Sequence, residues 1–193
     1  MSTPDAWQDT IALHFENHRQ VTLRALAELA EPIRRSAAVI VAALQAGHQV
    51  LAFGNGGSAS QASHLAGELI GRYSRTRRPY PAIALAADHG VVTCIANDFG
   101  YNELFARQVE ALARPGDVAN GFSTSGRSPN VLAGLAAARR AGAATIALTG
   151  AAGIGCEVDQ VLAVPSKTTA HIQEVHLMVL HLWCELLDLQ GDA

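Results

Sequence analysis

Residues 50–73, VLAFGNGGSASQASHLAGELIGRY, constrain the fold more than any other part of the chain. Four apolar residues (Val50, Leu51, Ala52, Phe53) make a run of strand length that stops at Gly54-Asn55-Gly56-Gly57-Ser58, and an amphipathic segment carrying His64 and Glu68 follows at once. The pattern predicts a strand, a tight glycine turn and a helix start. Backbone N–H groups in a first helical turn have no partner within the helix, so they favour an anion above the strand end, phosphate above all. His64 and Glu68 stand four apart, which puts them on one helix face about 6 Å from each other, able to act on whatever the loop holds.

The rest of the chain repeats this unit. Residues 49–53, 82–85, 118–122, 145–148 and 161–164 read as five strands, the second of them buried; helices over 91–96 and 101–113, one opened by Pro129 and one over 169–189 alternate with them. Residues 4–47 are helical throughout, with Trp7, Ile11 and Phe15 recurring every four residues and Leu23, Leu26 and Leu29 every three. Glu31-Pro32 predicts a break into two helices, the second (33–45) apolar at Ile33, Ala37, Val41 and Leu44. The expected fold is α/β, a three-layer sandwich around a five-stranded, mostly parallel sheet covered on both faces, with an N-terminal helical arm over 1–48 and the α/β core over 49–193. Ligands in such sheets bind beyond the carboxyl ends of the strands, where the Asn55 and Ser123 loops lie.

With 193 residues, 49% of them apolar, the chain can bury a proper core as one domain. Charged residues make up 16% and the net charge is -3, so there is no basic field for nucleic acid. Ala-rich, weakly charged helices point instead to surface covered by other subunits. Cys94, Cys156 and Cys184 form no closely spaced metal pattern, which fits a reducing cytoplasm, and read as small buried hydrophobes. The first ten residues lack a basic-then-apolar leader and no apolar run reaches membrane-spanning length, so a soluble, unexported protein is expected, with no membrane partner.

Read literally, Gly54 to Ala59 satisfies the dinucleotide fingerprint, but the acidic residue expected about 20 positions on is absent, and Arg72, Arg75, Arg77 and Arg78 fill the gap. A Walker-type loop is excluded because no Gly-Lys-Ser/Thr follows. A glycine turn without a ligand is the plain alternative. Ser123, Thr124, Ser125 and Ser128 place four hydroxyls beside a helix start, suited to a phosphate monoester; alone they could equally be an ordinary cap with Ser128 ahead of Pro129. Paired, the two loops favour a phosphosugar site. In the last helix Gln173 and His181 stand among apolar neighbours, with Glu174 and His176 nearby. Such residues are commonly satisfied core groups, yet with His64 and Glu68 they make an N/O shell of the kind zinc accepts. Gln173 and His181 are eight residues apart, about 12 Å along a helix, so sharing one ion needs a bend at the helix start or a neighbouring subunit.

GNGGS, then H-x-x-x-E-x-x-x-R-Y, AND-F-G, STSG-x-S-x-N and IQE-x-H-x-x-x-x-H, in this order and spacing, resemble the phosphoheptose isomerases of the sugar isomerase (SIS) family, whose core is flavodoxin-like. The resemblance spans nearly the whole chain. It implies conversion of sedoheptulose 7-phosphate to D-glycero-D-manno-heptose 7-phosphate by a cytoplasmic homotetramer with sites at subunit interfaces, commonly with one zinc ion per subunit. Carried over, it implies substrate contacts from Asn55, Gly56, Gly57, Glu68, Asn97, Asp98, Ser123, Thr124, Ser125, Ser128 and Gln173, and zinc ligands His64, Glu68, Gln173 and His181. An aldose–ketose interconversion needs a base to move a proton between adjacent carbons and an acid to serve the two oxygens through an enediol, roles expected of Glu68 and His181. A carboxylate bound tightly to metal is a poorer base, so the two roles of Glu68 compete. The alternative within the family is a non-catalytic binding module resembling the bacterial replication initiator-associating protein, in which the helix glutamate and final histidine are replaced; here both are kept. Departures from the family pattern are Gln61, placed to retune Glu68 or the fit of the sugar, Ala170 and His171, and Asn120, which interrupts an apolar strand.

Overall fold

The chain runs through α1 (Pro4–Gln45), β1 (Val50–Gly54), α2 (Gly57–Ile70), β2 (Ala82–Ala84), α3 (His89–Asp98), a 3-10 turn (Tyr101–Glu103), α4 (Leu104–Leu112), β3 (Val118–Ser123), α5 (Pro129–Arg140), β4 (Ala144–Thr149), β5 (Gln160–Ala163) and α6 (Thr169–Leu189). This is a computed structural model that describes residues 4–190; Met1 to Thr3, part of the segment read for a leader, lie outside the described residues. All five strands pair in parallel in the order β2-β1-β3-β4-β5. Among the described residues no helix is long and apolar enough to cross a membrane.

Side-chain alternation splits the core into two layers. Val50 and Ala52 of β1 join Leu65 and Leu69 of α2 and Val175 and Val179 of α6 on one face, whereas Leu51 and Phe53 meet Phe105 and Val109 of α4 and Leu135 of α5 on the other. Because β1 pairs with β2 on one side and β3 on the other, the chain reverses direction across the sheet there, and a crevice opens at the strand ends. Gly54 aligns with Phe122, so the loops after β1 and β3 leave the sheet side by side.

Pro32 does not break the N-terminal arm: α1 is one helix of 42 residues with the proline inside it. A proline in a helix interior costs about 3 kcal/mol, and the packing on both sides of it outweighs that cost. Val21, Ala25, Leu29, Ala37, Ile40 and Leu44 form one buried stripe, with Ile33 packed against it, and its spacing keeps phase through Pro32. One turn later the buried Ser36 hydroxyl lies 2.9 Å from the Pro32 carbonyl and accepts the Trp183 indole N–H at 2.9 Å, tying α1 to α6. The register read from Leu23, Leu26 and Leu29 holds only at Leu29; Leu23 and Leu26 are exposed, as are Trp7, Ile11 and Phe15.

Two other expectations need correction. Among the described residues β2 is an edge strand, paired with β1 alone; Ala82 faces the buried layer on α2 and Ile83, on the opposite face, is exposed. Of the cysteines only Cys184 is buried, and burial with the nearby Glu68 carboxylate pushes its thiol up to about 12; Cys94 is exposed and Cys156 half-buried. Asn120 lies fully buried between Val118 and Phe122 in β3, its side-chain amide has no hydrogen-bond partner among the described residues, and nothing in the fold explains it.

Replacing Ser36 by Ala leaves the Trp183 N–H without its acceptor in a dry helix interface. We expect a loss of about 1–3 kcal/mol in a urea titration; an unchanged midpoint would mean that this bond does not hold the two helices together.

Candidate active site

At the end of β1 the chain turns through Gly56, whose φ of +55 is open to glycine at little cost, and α2 begins at Gly57. The Asn55 and Asn130 side-chain amides hydrogen-bond each other reciprocally at 2.9 Å, and the Tyr101 hydroxyl donates to Asn55 Oδ1 at 2.9 Å. The first loop is thereby clipped to the start of α5 and to the 3-10 turn. In the second loop the Gly126 N–H closes a turn on the Ser123 carbonyl at 3.0 Å, Ser125 Oγ accepts the Arg127 N–H at 3.2 Å, and the Gly150 N–H donates to the Thr124 carbonyl at 3.1 Å. Ser128 precedes α5 but makes no side-chain cap bond; its hydroxyl lies 3.0 Å from that of Ser123, so it belongs to the hydroxyl group at the crevice rather than to the helix end.

A second group lies further along α2. His64 Nε2 is 3.0 Å from Glu68 Oε1 and 3.2 Å from His181 Nε2 on α6, and the Tyr73 ring stacks on His181 with centroids 5.7 Å apart. One imidazole nitrogen has a single bonding direction in the ring plane, so His64 Nε2 cannot satisfy both neighbours. A cation at their focus would. Two imidazoles and a carboxylate with ligand atoms within 4.8 Å of one another are a donor set that zinc accepts.

Gln173 is placed elsewhere. α6 is uninterrupted, and a Cβ built on Gly57 would lie 2.6 Å from Gln173 Nε2, so this side chain reaches the start of α2 rather than His181. The Gln61 side chain donates to the Gln173 carbonyl at 2.6 Å, bracing α2 against α6 instead of touching Glu68. Asn97 and Asp98 close α3, are exposed, and hydrogen-bond each other at 2.8 Å. His176 is fully buried; burial pulls its pKa down to about 4 against the pull of the Thr149 carbonyl, to which Nε2 donates at 3.1 Å, so it stays neutral and anchors the end of β4.

Residues that position Glu68 escaped sequence reasoning. Arg77 Nε bonds Asp188 Oδ1 at 3.0 Å, and the same guanidinium donates to the carbonyls of Glu68 and Leu69 at 2.9 Å each, capping the last turn of α2. Asp188 also accepts from the Ser74 N–H and hydroxyl and from the Arg75 N–H. Arg77 and Asp188 lie 111 residues apart, and no local pattern marks them as partners.

A SIS domain model matches residues 14–150. A phosphoheptose isomerase from Aquifex aeolicus is 46% identical over 176 residues, covering 90% of this chain and 92% of that protein. The structure of a phosphoheptose isomerase from Neisseria gonorrhoeae aligns with a TM-score of 0.87 at 38% identity, over 94% of this chain and 98% of the other, and one from Francisella tularensis with 0.91 at 34% over the same shares. This chain belongs to the SIS domain family. In this SIS domain the glycine turn after β1 and the hydroxyl loop after β3 lie side by side at the start of α2, and the His64, Glu68 and His181 group lies further along that helix. Gly57 and Glu68 are eleven residues apart on α2, about 16 Å along its axis.

Asp188 in this SIS domain titrates below the usual 3.8: burial pushes it up, but the Ser74 N–H, Arg77 and Arg75 hold it down by more. The folded state therefore binds fewer protons than the unfolded chain below that value, so the stability from this pair is complete above about 3.8 and is lost as pH falls toward the folded pKa. Asp188→Asn leaves a buried Arg77 unpaired, and we expect a loss of about 3–5 kcal/mol at pH 7, with a shallower acid limb than wild type in pH-dependent urea unfolding. Equal acid limbs in the two proteins would show that the pair carries no such linkage.

Proposed function

We propose that the protein is a phosphoheptose isomerase that interconverts D-sedoheptulose 7-phosphate and D-glycero-D-manno-heptose 7-phosphate through an enediol. The convergence of Glu68 and His181 on His64 carries the reading, because it puts a carboxylate and an imidazole at one place in a chain 46% identical to a phosphoheptose isomerase. A binding module is not favoured, since both groups are present and positioned. Glu68 takes a proton from C1 of the ketose while His181 gives one to the C2 oxygen, which yields the enediol. Return of a proton to C2 and loss of the O1 proton complete the aldose. Asn55, Gly56, Gly57, Ser123, Thr124, Ser125 and Ser128 hold the phosphate end, and Gln173, Asn97 and Asp98 face the sugar hydroxyls. His64, Glu68 and His181, with Gln173 of another copy as a fourth ligand, would hold one zinc ion per subunit, which when bound polarises the sugar carbonyl.

The halves of the site belong to different copies in this proposal. A span of about 16 Å along α2 is long for one seven-carbon sugar phosphate, so loops from one subunit meet Glu68 from another. Exposed Trp7, Ile11 and Phe15, and the apolar groove lined by Leu26, Leu29, Ile33, Met178 and Leu182, support a homotetramer assembled through α1 and α6. We take residues 1–193 as a single domain and the cytoplasm as its compartment, consistent with three unpaired cysteines.

Glu68→Gln is expected to lower kcat by at least 10²-fold, the scale of a positioned general base, with the circular dichroism spectrum unchanged; activity near wild type would remove Glu68 as the base. Ser123→Ala with Ser125→Ala is expected to raise KM for the phosphorylated ketose and to leave binding of the unphosphorylated sugar nearly unchanged, whereas equal loss for both sugars would dissociate these hydroxyls from phosphate. Mixing the Glu68 variant with the double Ser variant under subunit exchange should restore part of the turnover. No rescue would place each site within one chain.

A further inference from the structure

Outside the isomerase site, three histidines and a glutamate gather where α1 first meets α6. His14 Nε2 lies 2.9 Å from Glu174 Oε1, and His18 Nδ1 and His171 Nδ1 lie 2.7 and 2.9 Å from Glu174 Oε2. The ligand atoms of His14, His171 and Glu174 all fall within 4.8 Å of one another. The arrangement comes from rigid elements: His14 and His18 are one turn apart on α1, and His171 and Glu174 one turn apart on α6, so each pair shares a helix face. These are the spacings by which facing helices build metal sites. Gln173, although adjacent to Glu174 in sequence, points about 100° away around α6, toward Gly57.

Hydrogen bonds alone leave the cluster incomplete. His18 Nδ1 is buried and 2.7 Å from the carboxylate, yet it has no hydrogen-bond partner there, because the approach direction does not suit one. A cation among these atoms would take the unshared nitrogen. With Zn–N and Zn–O bonds of about 2.0–2.2 Å, ligand atoms around a tetrahedral ion stand about 3.3 Å apart, up to about 1.5 Å closer than the 4.8 Å within which His14, His171 and Glu174 lie; His18 stands outside that set, so taking it as the fourth ligand requires its ring to turn.

We propose that His14, His18, His171 and Glu174 form a second site for a divalent transition-metal ion, separate from the His64, Glu68 and His181 group and structural in role. Glu174 and His181 are seven residues apart on α6, about 10 Å along its axis, so the two sites do not share an ion. The three-nitrogen, one-carboxylate donor set suits zinc. Its place gives it a task. Residues 5–17 of α1 are exposed and the buried stripe begins at Val21, and ahead of that stripe His14 and His18 tie the helix to α6. An ion there would set the angle at which Trp7, Ile11 and Phe15 are presented to another copy.

The test uses the full chain stripped with a chelator and titrated with zinc alone. Bound metal is counted by mass spectrometry after gel filtration, and cobalt absorption reports tetrahedral coordination. His14→Ala with His18→Ala, at partly exposed positions on a helix, is expected to lose one zinc per chain relative to its parent and to abolish part of the zinc-dependent rise in Tm. The same decrement is expected in a His64→Ala, His181→Ala background, so the result stands whether or not the isomerase group binds zinc. Glu174→Gln keeps the side-chain shape and is expected to weaken binding at this site at least about tenfold, since even an outer-shell partner is worth that much. An unchanged zinc count in the double variant and in Glu174→Gln, each with native circular dichroism, would overturn the proposal.

Discussion

The register of α6 against α2 fixes where Gln173, His64, Glu68 and His181 lie relative to one another. Contacts advance in the same direction along both helices: Gln173 meets Gly57 and Gln61, His181 meets His64, and Asp188 holds Arg77 over the last turn of α2. Beneath these polar contacts runs an apolar bed that includes Leu65, Leu69, Val175, Val179 and Leu180. The bed supplies the burial energy but would tolerate sliding. The polar contacts have partners at one register only, since a shift would strand Arg77 and Asp188 as separate buried charges.

From that register the chemistry follows. In the proposed function the helix dipole and glycine turn at the start of α2 attract an anion, and the hydroxyl loop after β3 lies beside them because β1 and β3 are hydrogen-bonded neighbours at the reversal of strand order. The carboxylate and imidazoles sit further down the same helix, beyond easy reach of one sugar phosphate held at its start. In the proposed assembly, apolar side chains exposed on α1 and α6 bring a second copy's loops to them. Stability and function thus use the same two helices on different faces.

Much of this was legible in the chain because the signals were local. Strand-turn-helix units, the two loops after β1 and β3 and the bounds of α6 each depend on a short run of residues, and their order implied a parallel sheet. The pairing of His64 with Glu68 followed from helical spacing. What was missed depends on distant partners. Pro32 predicts a break by local propensity, whereas a stripe in phase across it and the Ser36–Trp183 bond keep α1 whole. Ile83 reads as buried from its apolar run, whereas the fold leaves its face of β2 exposed. Arg77 read only as one of several arginines arguing against a dinucleotide, and its role emerges with Asp188 in place. Asn130 and Tyr101 lie within or near motifs already noted, but only the fold shows them holding Asn55.

The central claim is that loops at the β1 and β3 tips grip the phosphate of a ketoheptose while Glu68 and His181 stand at its first two carbons. A crystal structure of the Glu68→Gln protein with sedoheptulose 7-phosphate tests it most directly. The expected result is a phosphate within hydrogen-bond reach of Ser123, Ser125 and Ser128, with C1 and C2 against residues 68 and 181 of one subunit. A phosphate bound away from those serines, or sugar carbons remote from residues 68 and 181 in every subunit, would contradict it.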